Sequence, residues 1–520
     1  MYPGLYSQTQ PDKAAAIRPT TGEILTYRQL DDRSNQLAQA LHGAGLRRGD
    51  RVALYAENHM VFMDATWACL RGGYFLTPIN RHLSAPEAAY IVENSDAKAL
   101  IASAALEPTG ELAKLTPDCP LKLVVGGSVP GYEDYEAALA VQPARKLENE
   151  RLGGYMLYSS GTTGRPKGIY RPLADQGPEL GNPQAKDRIE RYGFDADTVF
   201  LAPAPLYHAA PLGYVAAVIQ MGGTAVIMDK FDAETALQLI ERHRVTHSLW
   251  VPTMFIRMLK LDPAVRGKYD LSSHRCAIHA AAPCPIEVKR QMIEWWGPIV
   301  EEYYSASEGV GLAAISSQEW LEHPGSVGQA KHRPFHICNE EGDELPPGVP
   351  GLIYGEAMRG PFNYHKDAEK TRSVTHPKHA GWMTVGDIGY LDEAGYLYLT
   401  DRKAFMIISG GVNIYPQQIE DALALHPKVA DVAVFGVPNA ELGEEVKAVV
   451  EPAAGVEPSP ALAEEIMEFV RGKLGRQLTP RSVDFTDALP RLATGKLYKQ
   501  ALRDQYWGRS SPAAPLTART

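Results

Sequence analysis

Tyr158-Ser159-Ser160-Gly161-Thr162-Thr163-Gly164-Arg165-Pro166-Lys167-Gly168 sets Ser and Thr hydroxyls, glycines and one lysine within eleven residues. Gly161 and Gly164 let the backbone turn tightly and bring N–H groups close to an anion. Ser159, Ser160, Thr162 and Thr163 offer hydroxyl donors, and Lys167 supplies a point charge. Together these are the parts of a polyphosphate site. The loop is not a Walker A sequence, which places Gly-Lys-Ser/Thr after a glycine and four residues. Counted from Gly161, the sixth residue is Pro166.

Helical and strand patterns alternate on both sides of this loop. Thr26-Tyr-Arg-Gln29 reads as a capping box, with Leu30, Leu37 and Leu41 at helical spacing behind it. Arg51–Ala56 reads as a strand, Ala236–His243 as a helix and Ser248–Val251 as a short apolar strand. The alternation predicts an α/β fold with largely parallel sheets.

The texture changes near residue 400. Tyr415–Leu425 is an amphipathic helix with Pro416 in its first turn, and Val429–Val437 and Val446–Val450 alternate as strands. Ser459-Pro460 caps a helix whose apolar stripe is Leu462, Ile466, Phe469 and Val470. The expected organisation is a large α/β domain over 1–400 and a small, mobile α+β domain over 401–507. Residues 508–520, Ser-, Pro- and Ala-rich from Ser510, are expected to be a disordered tail.

Bulk properties narrow the class. The chain's 520 residues exceed what one hydrophobic core holds. A net charge of −10 argues against a nucleic-acid surface. Five dispersed cysteines, with no Cys-x-x-Cys or Cys/His zinc spacing, fit a reducing compartment. No signal-peptide pattern opens the chain. Its most apolar segment, Gly213–Met228, is broken by Gln220, Gly222 and Gly223, so no transmembrane span is expected. The C-terminal residues are not a peroxisomal signal, and a cytoplasmic location is expected.

The Tyr158–Gly168 loop resembles the signature phosphate motif of the adenylate-forming enzymes, which include acyl-CoA synthetases, the adenylation domains of peptide synthetases and firefly luciferases. The resemblance runs from about residue 10 to residue 505. Further motifs carry it: Pro205-Leu-Tyr-His208, His279–Pro285, Tyr303–Gly309, Gly381–Asp387, Asp401-Arg-Lys403, Ile408–Pro416 and Pro490–Lys496.

On matching positions the resemblance implies the following roles. The nucleotide is held by Ser159, Ser160, Gly161, Thr162, Thr163, Gly164 and Lys167, with Ala281, Ala282 and Pro283 along the adenine. Tyr304 stacks on the base, Ser307 meets the α-phosphate, and Asp387 and Arg402 take the ribose hydroxyls. Glu308 holds Mg²⁺, with Thr163 as a further oxygen ligand. Tyr207, His208, Thr253, Ser305, Ala306 and Gly309 border the acyl pocket, and Ser409, Gly410 and Gly411 face CoA. Lys403 and Ala404 form the hinge, where relatives usually carry Asp or Lys in place of Ala404. The implied catalytic set is Lys496, Glu308, Lys167 and Thr163. Relatives often have glycines where this chain has Ala280 and Ala281, so strain is expected wherever that loop needs a positive φ.

The implied reaction is ATP-dependent formation of an acyl-AMP and then of an acyl-CoA thioester, with release of pyrophosphate and AMP. The implied partners are a carboxylic acid, ATP and CoA, and a homodimer is left open. The expected pocket segments carry no Arg or Lys for a second carboxylate, which favours a hydrophobic monocarboxylic acid. Among these, fatty and steroid side-chain acids come first and aryl acids next. Two other readings remain. An amino-acid or acyl adenylation enzyme would load a carrier protein, but Leu206–Pro211 lacks the aspartate that holds a substrate ammonium. A luciferase-like oxygenase would share only the first half-reaction.

Overall fold

The computed structural model describes residues 2–159, 166–356, 362–402, 405–491 and 497–508, the side chains of Gln184, Asp401 and Arg402 apart. The architecture is mixed α/β, with a large N-terminal domain carrying parallel sheets and a smaller C-terminal domain. The chain gathers into two compact units. One comprises Met1–Met254, Leu261–Ile278 and Pro361–Thr371, the other Phe255–Lys260, His279–Gly360 and Arg372–Thr520.

In the first unit an all-parallel sheet runs in the order Glu133–Asp134, Leu121–Val125, Ala97–Ser103, Arg51–Tyr55, Phe75–Ile79, Gly154–Tyr155. Its central strands are buried on both faces, which is why they read as continuous apolar runs. A second sheet pairs Val199–Ala202 in parallel with Thr224–Ile227 and His247–Trp250, and Ala14–Arg18 lies parallel to Thr224–Ile227. The Thr26–Gln29 capping box is formed with both hydrogen bonds, and the helix Tyr27–Gly43 buries Leu30, Leu37 and Leu41. The helix expected from Ala236 starts at Ala233, because the Asp232 side chain accepts the Thr235 N–H. The apolar segment near Gly213 is the buried helix Ala209–Gln220 followed by the strand Thr224–Ile227. Among the described residues, no helix is long and apolar enough to cross a membrane.

The second unit contains an antiparallel sheet in the order Val300–Tyr304, Ala313–Ile315, Ser326–Ala330, Tyr396–Arg402, Asp387–Leu391, Gly351–Glu356, Phe335–Cys338. Parallel pairing gives way here because links such as 305–312 are too short for a crossover helix. The same unit carries a sheet of Val412–Ile414, Ile407–Ser409, Gly443–Pro452 and Val429–Asn439, with Ser482–Phe485 parallel to Gly443–Pro452. Helices Pro416–Leu423 and Pro460–Leu474 pack Ile419, Leu423, Ile466 and Val470 against Val432, Val434, Ala448 and Val450 of its strands. The Ser459 cap is present, its hydroxyl accepting the Leu462 N–H. The expected tail lies outside the described residues from 509 onward.

Candidate active site

In the first unit the ends of the glycine-rich loop meet in an antiparallel hairpin, with Lys167 opposite Ser159 and Gly168 opposite Tyr158. A Cβ at Gly168 would lie 2.7 Å from Met156 Cε, so a larger residue there would require that flexible side chain to shift. The Tyr158 hydroxyl donates to Asn94 Oδ1 at 2.7 Å, and burial raises its pKa. Lys167 Nζ stands 3.0 Å from Asp367 Oδ2. The expectations for Ser160, Gly161, Thr162, Thr163 and Gly164 lie outside the described residues.

Tyr207 and His208 close the segment that opens the helix Ala209–Gln220, their rings 4.5 Å apart. Burial pushes the Tyr207 hydroxyl up to about 12. The buried Asn58 pins this segment, accepting the Leu206 N–H at 2.8 Å and donating to the Met228 carbonyl at 2.7 Å. Thr253 lies in the first turn of the helix Pro252–Leu259 and is exposed.

In the second unit Tyr304 ends the strand Val300–Tyr304 and Asp387 begins the strand Asp387–Leu391. The Tyr304 hydroxyl donates to Asp387 Oδ2 at 2.8 Å, so the two residues expected to take adenine and ribose touch. The backbone of Arg402 lies opposite Asp387 in the ladder. Beyond Tyr304 the chain turns sharply, with Gly309 N–H donating to the Ala306 carbonyl at 2.8 Å and Gly309 at φ 65°. The Ser305 hydroxyl donates to the Gly311 carbonyl at 2.9 Å. Ser307 is exposed, whereas Glu308 is only 7% exposed.

Ala281 adopts φ 78°, the strain expected where relatives carry glycine. An alanine in this region costs about 1–2 kcal/mol. Ala281 and Ala282 are exposed and Pro283 half-buried, leaving their backbone open to a ligand. Under this loop lies a fully buried ion pair, Lys289 Nζ to Glu302 Oε2 at 2.6 Å, with His279 Nε2 3.5 Å from the same oxygen. The Lys289 ammonium also lies 4.9 Å from the centre of the Trp320 ring.

Gly410 and Gly411 take φ 57° and 80° and join Ile407–Ser409 to Val412–Ile414, a two-residue turn that needs left-handed backbone at both positions. Ser409 is half-buried at its start, and Ile408 and Val412 are exposed. The side chain of Arg402 and the hinge residues Lys403 and Ala404 lie outside the described residues, as does Lys496. Both ends of the Lys496 loop are held: Arg491 bridges Leu497, Tyr498 N–H donates to the Pro490 carbonyl at 2.8 Å, and Arg491 pairs with Asp431.

The donor chemistry fits a hard cation. Glu308 is a buried carboxylate, and among the described residues no group of three His, Cys, Asp or Glu side chains could hold a metal unaided. A carboxylate oxygen is the kind of ligand Mg²⁺ takes, with phosphates and water as its remaining ligands.

A family model described as AMP-binding enzyme matches residues 6–364, and one described as AMP-binding enzyme C-terminal domain matches residues 418–496. The chain belongs to the AMP-binding enzymes. Two relatives in this family are a feruloyl-CoA synthase from Amycolatopsis sp. and a long-chain-fatty-acid–CoA ligase from Mycobacterium tuberculosis. The first is 32% identical over 495 residues, covering 95% of this chain and 96% of that protein. The second is 30% identical over 517 residues, covering 95% and 96%. Among solved AMP-binding enzymes, the o-succinylbenzoate CoA synthetase of Bacillus subtilis in complex with its acyl-adenylate intermediate superposes with a TM-score of 0.80. It is 25% identical, with 96% of this chain and 97% of that one covered.

Proposed function

We propose that this AMP-binding enzyme is an acid–CoA ligase that joins a hydrophobic monocarboxylic acid to CoA through an acyl-AMP. The observation that supports it most is the hydrogen bond between Tyr304 and Asp387, 83 residues apart in sequence and 2.8 Å apart in space. It sets an aromatic ring and a carboxylate side by side, suited to a purine and its ribose diol.

A carboxylate is a poor acylating agent because its leaving group would be oxide. In the proposed reaction one carboxylate oxygen attacks the α-phosphorus of ATP in line, and pyrophosphate leaves. Lys167 and the N–H groups of the Ser160–Gly164 loop stabilise the phosphoryl charge, Ser307 donates to the α-phosphate, and Lys496 donates to the oxygens at the reacting centre. Glu308 and Thr163 would hold Mg²⁺, which would supply charge neutralisation on the phosphates. Asp387 and Arg402 fix the ribose. The CoA thiolate, guided along Ser409-Gly410-Gly411, then attacks the acyl carbon and AMP departs. Lys496 and the Gly410–Gly411 turn serve different steps yet share residues 401–507, so this segment is proposed to turn about residues 401–404 between them.

The acid is proposed to be a fatty or steroid side-chain acid first and an aryl acid next. The relatives' names span both a long-chain fatty acid and ferulate. A panel of fatty, steroid and aryl acids, assayed for AMP release with and without CoA, tests this. The expected result is AMP and thioester in equal amounts, dependent on CoA, with kcat/KM highest for one hydrophobic acid. Turnover only with an acyl carrier protein, or a preference for amino acids, would contradict it.

A further inference from the structure

Lys167 is 200 residues from Asp367 in sequence, yet its ammonium lies 3.0 Å from the Asp367 carboxylate. That carboxylate is held from several sides. Its other oxygen accepts the Lys370 N–H at 2.9 Å, and the Asp367 N–H donates to the Tyr364 carbonyl at 3.1 Å. The Asp367 carbonyl accepts the Thr371 hydroxyl at 2.9 Å, and that hydroxyl accepts the Tyr364 N–H at 3.0 Å.

The segment is also bound to the loop hairpin itself. Asn363–Tyr364 pairs with Lys167–Tyr170 as a third strand, and His365 N–H donates to the Gly168 carbonyl at 2.7 Å. Lys366, immediately before Asp367, stands at φ 57°, and its ammonium is 2.7 Å from Asp96 Oδ1, on a residue itself at φ 53°. Strained backbone persists where the surroundings over-determine it, and here the ion pair to Asp96 holds Lys366, the residue next to Asp367. The pair remains open to water, with side-chain exposures of 26% for Lys167 and 34% for Asp367.

We propose that Asp367 is the positioning residue of the phosphate-binding lysine: it fixes one N–H of Lys167 and aims the other two at the nucleotide. The proposal rests on the reading of Lys167 given above. A lysine has three donors on a flexible four-carbon stem, so a single rigid acceptor removes most of its rotational freedom before ATP arrives. The Lys370 N–H first, and the Lys167 ammonium next, hold the Asp367 carboxyl below the usual carboxylate range, which keeps the anchor ionised.

The test measures the two half-reactions separately in Asp367→Asn, Lys167→Met and the double variant. Asparagine keeps an acceptor for the Lys370 N–H but removes the charge facing Lys167. For Asp367→Asn the expected result is about a tenfold loss of kcat/KM for ATP in adenylate formation, chiefly through KM. Thioester formation from supplied acyl adenylate should be unchanged, and the double variant should be no worse than Lys167→Met. Losses that multiply in the double variant, or a loss shared by both half-reactions, would overturn the proposal. Lys167→Met with unchanged adenylate formation would overturn the phosphate reading itself. A Lys167→Met loss without one in Asp367→Asn would overturn only the positioning role.

Discussion

Lys496→Ala is expected to lose adenylate formation by about two to three orders of magnitude while still converting supplied acyl adenylate and CoA to thioester. In the proposed reaction negative charge builds on the phosphoryl oxygens only while the carboxylate attacks and pyrophosphate leaves. A cation aimed at that charge contributes to the transition state of the first step alone, and the thiol's attack on the acyl carbon does not need it. The local frame suits such a role. The loop carrying Lys496 is closed at its base by the Arg491–Leu497 bridge and the Tyr498–Pro490 hydrogen bond, and Arg491 is tied to Asp431. Stopped-flow measurement of each half-reaction checks the expectation, and equal loss in both would refute a role confined to the first.

The second large effect is on stability. Lys289 is fully buried and the Glu302 side chain is only 5% exposed, their charged atoms 2.6 Å apart. Burial already raises the Glu302 carboxyl above its usual range, against the lowering effect of Lys289. Lys289→Met removes the cation and leaves that carboxylate dry and unpaired beside His279, itself fully buried. Breaking a buried pair from one side costs about 3–5 kcal/mol, whereas replacing both partners with apolar groups of similar volume is often neutral. Equilibrium denaturation should show that loss for Lys289→Met and recovery of most of it in Lys289→Met/Glu302→Leu. A single variant as stable as the parent would contradict the account of this pair.

What could be read ahead of the structure follows the range over which each signal acts. The Thr26–Gln29 box, the Ser459 cap and the Leu462, Ile466, Phe469 and Val470 stripe are written within one or two turns, and all three are formed, with Phe469 half-buried at the edge of the core. The strain at Ala281 was also legible, because a missing glycine is a local fact. The partners that hold the candidate site together were not. Asn58 reaches Leu206 across 148 residues, Asp367 reaches Lys167 across 200, and nothing near either residue marks its partner. Nothing near Lys289 or Glu302 in the sequence marks them as a buried pair, which their packing in the fold makes of them. The antiparallel order of the Val300–Tyr304 sheet was missed for the same reason: alternation of helix and strand says little about which strands lie side by side.

The central claim is that a carboxylate oxygen becomes bonded to the α-phosphorus of ATP. It is tested most directly by supplying a hydrophobic acid labelled with ¹⁸O in its carboxylate, with ATP and CoA, and weighing the AMP released. The account predicts one labelled oxygen in the phosphate of each AMP, because that oxygen bridges carbon and phosphorus in the acyl adenylate and leaves with phosphorus. Unlabelled AMP, or release of ADP and phosphate in its place, would contradict it.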